Sequence, residues 1–107
     1  MAVIVGFADE RVKKAFDALK TRDIGLYHRI SEAMDTLKTD PGAGIKIPSN
    51  LWPKKYVKKF DINNLWKYNL PDAWRLIYTL RGDRAEIITI VLEWMDHGDY
   101  ERRFGYG

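Results

Sequence analysis

The sequence contains no cysteine and only two histidines, His28 and His97. Without cysteine, the chain cannot form disulfide bonds, zinc sites with thiolate ligands or a thiol nucleophile. Two histidines are also too few for a metal site built from several imidazoles. We therefore expect neither a metal nor another cofactor.

Long hydrophobic runs are missing as well. A membrane-spanning helix needs about 20 predominantly apolar residues in succession, and no segment approaches that length. A secretory signal has an apolar stretch behind a basic start, whereas only a few apolar residues precede Asp9 and Glu10. We interpret this start as a first β-strand, and we expect a cytoplasmic protein without membrane contact.

The composition is that of a folded protein, since the 107 residues are 46% hydrophobic and 31% charged. This length predicts a single domain over residues 1–107 with one hydrophobic core. The formal net charge is +3, and a small basic domain favours nucleic acid or an acidic protein as its partner. Because the excess of positive charge is modest, the placement of the charges has to decide which kind of partner is favoured.

The N-terminal part predicts two helices. Apolar side chains follow the helical period after each of two candidate N-cap residues, Asp9 and Asp23. The connection between the helices is short, which favours an antiparallel helical hairpin. Pro41 and the glycines beside it end the second helix.

The segment 45–61 permits two interpretations. Ile45 and Ile47 alternate with a lysine as in a short strand, and the prolines that follow prevent a long element. Residues 54–59 could form a helical turn or an extended segment. They also hold the densest positive charge in the chain, from Lys54, Lys55, Lys58 and Lys59.

From Leu65 the hydrophobic period changes to two, which is typical of strands. Candidate strands lie at residues 65–70, 74–80 and 86–94, separated by turn signals. Short turns between successive strands predict an antiparallel meander. The third strand is apolar on both faces, so we expect it to be the central and most buried one.

The predicted fold class is α+β, with an N-terminal helical hairpin packed on one face of a twisted antiparallel sheet of three to four strands. Asp96 or Asp99 then begins a short C-terminal helix or turn through Phe104. The other face of the sheet is expected to be partly open and lined by polar and basic side chains.

Two helices, a three-strand meander and a tail with histidine and tyrosine resemble the RelE/ParE superfamily of toxins from toxin–antitoxin pairs. The resemblance follows the whole chain in the order of elements and is specific from about Asn64 onward. Its most telling part is an aromatic residue followed by arginine, aliphatic residues and tyrosine in the middle strand. The residues that carry it are Asn64-Leu65-Trp66-Lys67-Tyr68, Leu70 to Tyr78, Gly82-Asp83, and His97 with Tyr100 and Phe104.

The resemblance implies the toxin of a type II toxin–antitoxin system, inhibited by a cognate antitoxin. Members of the RelE branch cut mRNA in the ribosomal A site without a metal, by attack of a 2′-OH on the adjacent phosphate to leave a cyclic phosphate. This reaction needs a base for the 2′-OH, positive charge beside the phosphorane and an acid for the 5′-oxygen. Other members of the superfamily poison gyrase or are inactive.

The resemblance implies four catalytic candidates: Arg75, His97, Tyr100 and Lys67. Arg75 is always charged and suits bidentate contact with a phosphate. His97 can take or give a proton near neutral pH. Tyr100, one helical turn further on, could donate a proton or stack on a base. Lys67 could supply a base or a charge. If it points into the core, either the base role falls to His97 or the enzyme is a different variant.

The surrounding basic and aromatic residues are expected to hold RNA: Lys54, Lys55, Lys58, Lys59, Trp66, Arg81, Arg84, Arg102 and Arg103. Each also has a plainer interpretation, because cations usually form a solvated surface and tryptophans usually belong to a core. Arg75 could equally be an ion-pair partner of Asp72 or Glu93, and His97 an ordinary surface residue.

Two other functions stay open on the sequence. One is a non-nucleolytic member of the fold, such as a gyrase-directed toxin, against which His97 and Tyr100 argue mildly. The other is a basic module that binds RNA or protein without catalysis. The expected partners are the antitoxin, mRNA and the ribosome, in a homodimer or a heterotetramer with the antitoxin. An exposed edge strand near the N-terminus could pair with either protein.

Overall fold

The computed structural model describes residues 2–82 and 85–105, which form one five-stranded sheet with helices on both faces. The elements are β1 (Ala2–Phe7), α1 (Glu10–Arg22), α2 (Ile24–Thr39), β2 (Ile45–Lys46), α3 (Lys54–Phe60), β3 (Trp66–Asn69), β4 (Trp74–Gly82), β5 (Glu86–Asp96) and α4 (His97–Phe104). Short 3-10 turns lie at Ser49–Leu51 and Pro71–Ala73. Over the described residues, no helix combines the length and apolar character needed to cross a membrane.

The strands lie in the order β1-β5-β4-β3-β2. Strands β2 to β5 pair antiparallel in succession, as the predicted meander requires. β1 instead joins the far edge beside β5 and runs parallel to it, with Ala2 opposite Glu86. The α+β class is confirmed, but the sheet has five strands and is mixed. β4 rather than β5 is central, because β1 adds a strand beyond β5.

Both predicted N-caps of the helical hairpin are confirmed. The side chains of Asp9 and Asp23 accept hydrogen bonds from the amides three residues further on, at 2.9 and 3.1 Å. Asp23 also ends α1, so a single residue joins the two helices. Their apolar stripes pack on one face of the sheet, in a core that contains Phe16, Leu26, Ile30, Ala33, Leu37, Leu76, Tyr78 and Val91.

The second face of the sheet is more covered than expected, because α3 and α4 lie on it. Tyr56 from α3 and Tyr100 and Phe104 from α4 are buried in one cluster with Ile77 and Met95 of the sheet. The helical interpretation of residues 54–59 is therefore the correct one. Each helix is only about two turns long, which gives too few repeats for a clear apolar stripe in the sequence.

The turn between β3 and β4 has an uncommon backbone. Asp72 and Ala73 have φ angles of 61° and 62°, and this left-handed region costs residues with a Cβ roughly 1–2 kcal/mol each. The amide of Leu70 donates to the carbonyl of Trp74 at 2.8 Å, which closes the turn. The strained turn thus sets the point at which Arg75 enters the sheet.

Candidate functional site

Arg75 and His97 meet although 22 positions separate them in the chain. Nη2 of Arg75 lies 3.4 Å from Nδ1 of His97. Arg75 is the second residue of β4 and pairs with Met95 near the end of β5, while His97 begins α4 directly after β5. The antiparallel pairing of β4 and β5 therefore brings the two side chains together.

Lys67 lies on the same face of the sheet as Arg75. It is opposite Ile77 in β4, and Ile77 is two residues from Arg75, so the three share one side of the pleat. The ring of Tyr100 lies near both cations, 4.8 Å from Nζ of Lys67 and 5.9 Å from Cζ of Arg75. Lys67 points away from the core under the helical hairpin, so its amine lies on the same side of the sheet as Arg75.

Tyr100 is a core residue, with 2% of its surface exposed. Its ring stacks on Phe104 with a centroid distance of 4.5 Å. An RNA base has no access to a ring that is buried in this way, so the stacking role expected of Tyr100 is wrong for this structure. The ring instead contacts the two neighbouring cations, Lys67 and Arg75.

Glu101 belongs to the same cluster and was missed in the sequence. Its Oε1 pairs with Nε2 of His97, one helical turn earlier in α4. Histidine and glutamate at this spacing face each other on a helix, which is the signal that could have found the pair. A carboxylate on one ring nitrogen orients an imidazole and fixes which nitrogen carries a proton.

The two contacts of His97 define one tautomer. An ionised carboxylate can only accept a hydrogen bond and a guanidinium can only donate. In the neutral imidazole, Nε2, which contacts Glu101, therefore carries the proton, and Nδ1, which contacts Arg75, presents its lone pair. This arrangement leaves Nδ1 able to take a proton once Arg75 turns towards another acceptor.

Arg75 has no carboxylate partner among the described residues. The two carboxylates that the sequence offered are paired elsewhere, Asp72 with Arg29 at 2.6 Å and Glu93 with Arg103 at 2.6 Å. Nε of Arg75 is buried without a hydrogen-bond partner in the described part of the chain, and Nη1 donates to the carbonyl of the preceding residue at 3.2 Å. The guanidinium therefore keeps capacity for an external anion.

Glu93 is the centre of a second ionic cluster. Arg103 donates to both of its oxygens, at 2.6 and 2.7 Å, and the hydroxyl of Tyr56 donates to it as well. Burial raises the pKa of Tyr56 far above its ordinary value, and Glu93 adds to the rise. Burial alone would raise the pKa of Glu93, but the donors Tyr56 and Arg103 outweigh it, so that pKa is lowered. Arg103, predicted to bind RNA, thus makes an internal contact that joins α4 to β5.

The four lysines of α3 are exposed. Two of them have acidic partners, since Nζ of Lys55 lies 3.6 Å from Glu93 and Nζ of Lys59 lies 3.8 Å from Asp9. The same two lysines line a cleft of about 410 Å³ between α1, α3 and β5. This cleft is separate from the cluster around Arg75, because neither Arg75 nor His97 lines it.

Trp66 faces the other side of the sheet from Lys67, because neighbouring residues of a strand alternate. Its indole donates to the side chain of Asn64 at 3.1 Å, and its ring stacks against Tyr78 with a centroid distance of 6.1 Å. The structure thus separates Trp66 from Arg75, and the core interpretation of Trp66 fits its position better than base stacking.

The other predicted RNA-binding arginines make local contacts. Arg81 donates to the carbonyls of Phe60 and Asp61, the latter at 3.1 Å, and so holds the end of α3. Arg102 pairs with Asp99 on the exposed side of α4. Arg84 lies outside the described residues.

Comparison with known proteins supports the fold through a solved structure. No family model and no curated protein matches the chain. The solved structure of a YoeB/ParE toxin from Agrobacterium tumefaciens is similar, with a TM-score of 0.59, 17% sequence identity, and coverage of 91% of this chain and 99% of that one. An alignment over nearly all of both chains compares whole architectures rather than a shared motif. This chain therefore has the RelE/ParE-like toxin fold that its sequence resemblance implies.

Proposed function

We propose that this chain is the toxin of a toxin–antitoxin pair and that it cleaves mRNA on the ribosome without a metal. One observation carries the proposal. Arg75 is a guanidinium without a carboxylate partner in the described residues, and it lies 3.4 Å from an imidazole. Cleavage of RNA by its own 2′-OH needs this combination of positive charge and a proton-transfer group.

Arg75 and Lys67 have the charge role. Arg75 binds the scissile phosphate through its guanidinium and stabilises the negative charge that develops on the phosphorane. Lys67 adds a second positive charge on the same side of the sheet. Because Arg75 leaves Nδ1 of His97 when it binds the phosphate, substrate binding itself frees the base.

His97 has the proton-transfer role. Its Nδ1 takes the proton of the 2′-OH while Glu101 holds Nε2. The bond from the 2′-oxygen to phosphorus forms, and the bond from phosphorus to the 5′-oxygen breaks. Lys67 gives a proton to the leaving oxygen, so the products are a 2′,3′-cyclic phosphate and a 5′-hydroxyl.

The exposed lysines of α3 suit contacts with the RNA backbone or with ribosomal RNA, which depend on charge and not on base sequence. The positive surface also suits an acidic antitoxin. β1 is an edge strand without a charged residue, and Ile4 in it is 47% exposed. Such an edge can pair with a strand of the antitoxin or with a second copy of the chain.

The test is primer extension on an mRNA in a reconstituted translation reaction, with wild type, Arg75→Ala, His97→Ala and the double variant. His28→Ala is the matched control, because His28 is exposed on α2, outside the cluster around Arg75. We expect cuts that require ribosomes, disappear in the double variant and persist in the control. Cuts that survive the double variant would reject these residues as the site. An absence of cuts at any dose, together with inhibition of gyrase supercoiling, would favour the gyrase-directed alternative.

A further inference from the structure

The turn before β4 contains two successive residues, Asp72 and Ala73, in the left-handed region. Aspartate tolerates this conformation better than most residues do, whereas alanine rarely adopts it. A backbone strained in this way relaxes unless its surroundings hold it. Contacts with the rest of the protein must therefore hold this turn in its left-handed conformation.

One restraint comes from the strands themselves. The amide of Leu70 donates to the carbonyl of Trp74 at 2.8 Å, and Leu70 is 5% exposed in the core under the helical hairpin. These contacts fix the two ends of the turn. The tip of the turn, at Asp72 and Ala73, is exposed to solvent.

The second restraint acts on the tip and comes from α2. Nη2 of Arg29 lies 2.6 Å from Oδ2 of Asp72. The next residue in the helix, Ile30, is fully buried, so Arg29 projects from a part of α2 that is fixed in the core. Arg29 thus links the exposed tip of the turn to a helix whose next residue is buried in the core.

Arg75 depends on this turn because it follows Ala73 by two residues. Its guanidinium has no carboxylate partner in the described part of the chain, and its Nε is buried without a hydrogen-bond partner there. Its backbone pairs with Asn69 and Met95 in the sheet, directly after the turn, and its guanidinium contacts the carbonyl of Trp74 and the ring of His97. A turn that relaxed would move Arg75 away from His97.

We propose that Arg29 and Asp72 are positioning residues: their ion pair holds the strained turn and thereby holds Arg75 beside His97. Its effect on cleavage rests on the proposed function, but its effect on Arg75 does not. We therefore test it with two measurements on the full chain, the Nε–Hε resonance of Arg75 in ¹⁵N NMR spectra and the rate of mRNA cleavage.

The first variant is Arg29→Met, which keeps an apolar stem and a good helix former but removes the charge. We expect the Arg75 resonance to move and its response to added inorganic phosphate to weaken. Cleavage should fall about 10-fold, chiefly in kcat, because small displacements of a catalytic group are costly. Lys13→Met is the control, since it breaks the exposed ion pair with Asp17 on α1 and should change neither measurement.

The second variant tests the strain directly. Ala73→Gly removes the steric cost of the left-handed conformation, so the double variant Arg29→Met with Ala73→Gly should regain the wild-type resonance and most of the lost rate. A merely structural role of Arg29 predicts no such recovery. Asp72→Asn breaks the same ion pair from the other side while it still tolerates the left-handed region, and it should reproduce a weaker form of the Arg29→Met effect.

The proposal is overturned if Arg29→Met leaves the Arg75 resonance in place, or if Ala73→Gly fails to restore it. If Arg29→Met does not fold, Asp72→Asn decides in the same way. If wild type does not cleave RNA at all, the proposed function fails, while the resonance of Arg75 still decides the positioning role.

Discussion

Arg75 and Arg103 lie on the same side of the sheet, yet they have opposite surroundings. Arg103 donates twice to Glu93 and belongs to a network with Tyr56. Arg75 lies beside an imidazole and has no carboxylate partner in the described part of the chain. A charge that is already neutralised stabilises the fold, whereas a charge held without a counterion is available for a ligand. The comparison predicts that the two arginines respond to substitution in opposite ways.

The largest effect is expected from Arg75→Met on activity. Loss of a group that stabilises transition-state charge costs about 10²–10³ in rate, so cleavage in the primer-extension assay should nearly vanish. The unfolding free energy should stay within about 0.5 kcal/mol of wild type, because no carboxylate is left without its cation. A variant that unfolds as readily as it loses activity would contradict this view of Arg75.

Arg103→Met should give the reverse result. It leaves Glu93 partly buried with weaker compensation, and partial exposure of the pair reduces the expected loss of stability to about 2 kcal/mol. Urea denaturation measures this loss. Cleavage by the folded variant should remain within a few fold of wild type. Loss of activity without loss of stability would instead assign Arg103 a catalytic role.

Acid should remove the difference between wild type and Arg103→Met. The pKa of Glu93 is lowered from its ordinary value of 4.5 in the folded protein. Its stabilising contribution is therefore present above pH 4.5 and is lost as the pH falls through the folded pKa. Denaturation curves of both proteins from neutral pH to below pH 4 should converge. Arg75→Met has no equivalent carboxylate, so its small difference from wild type should not follow this pattern.

The smallest effect concerns the exposed lysines of α3. In the double variant Lys54→Ala with Lys58→Ala, RNA binding should weaken without a change in cleavage pattern. The slope of log affinity against log salt should fall by about 0.7 for each phosphate that the variant no longer neutralises. Lys14→Ala with Lys38→Ala removes two exposed lysines from α1 and α2 and serves as the control. Equal slopes in the two double variants would show that α3 has no special part in binding.

The features that were predictable from the sequence are local. The N-caps Asp9 and Asp23 lie next to the helices they begin, and both helices begin where these residues predict. The place of β1 at an edge of the sheet was expected. Its parallel pairing with β5 was not predictable, because it joins distant parts of the chain. The cover of the second face by α3 and α4 was missed because short helices carry little periodic signal.

In the candidate site, too, some features were predictable from the sequence and others depend on tertiary contacts. The resemblance to the RelE branch indicated Arg75, Lys67 and His97, and these three residues lie near one another in the structure. Whether an arginine already has a carboxylate partner depends on tertiary contacts. The sequence could not show that Arg29 takes Asp72 or that Arg103 takes Glu93. Burial also decides the role of Tyr100, whose ring is covered by elements that only the folded chain brings together.

The parallel pairing of β1 with β5 has a consequence for the order of folding. Ala2 pairs with Glu86 across nearly the whole described chain, and contacts that close such long loops form slowly. A chain that emerges from the ribosome with its N-terminus first must therefore keep β1 unpaired until β5 follows. The pairing of β4 with β5 also places Arg75 beside His97. A nascent chain of this topology cannot bring Arg75 beside His97 before synthesis has passed β5.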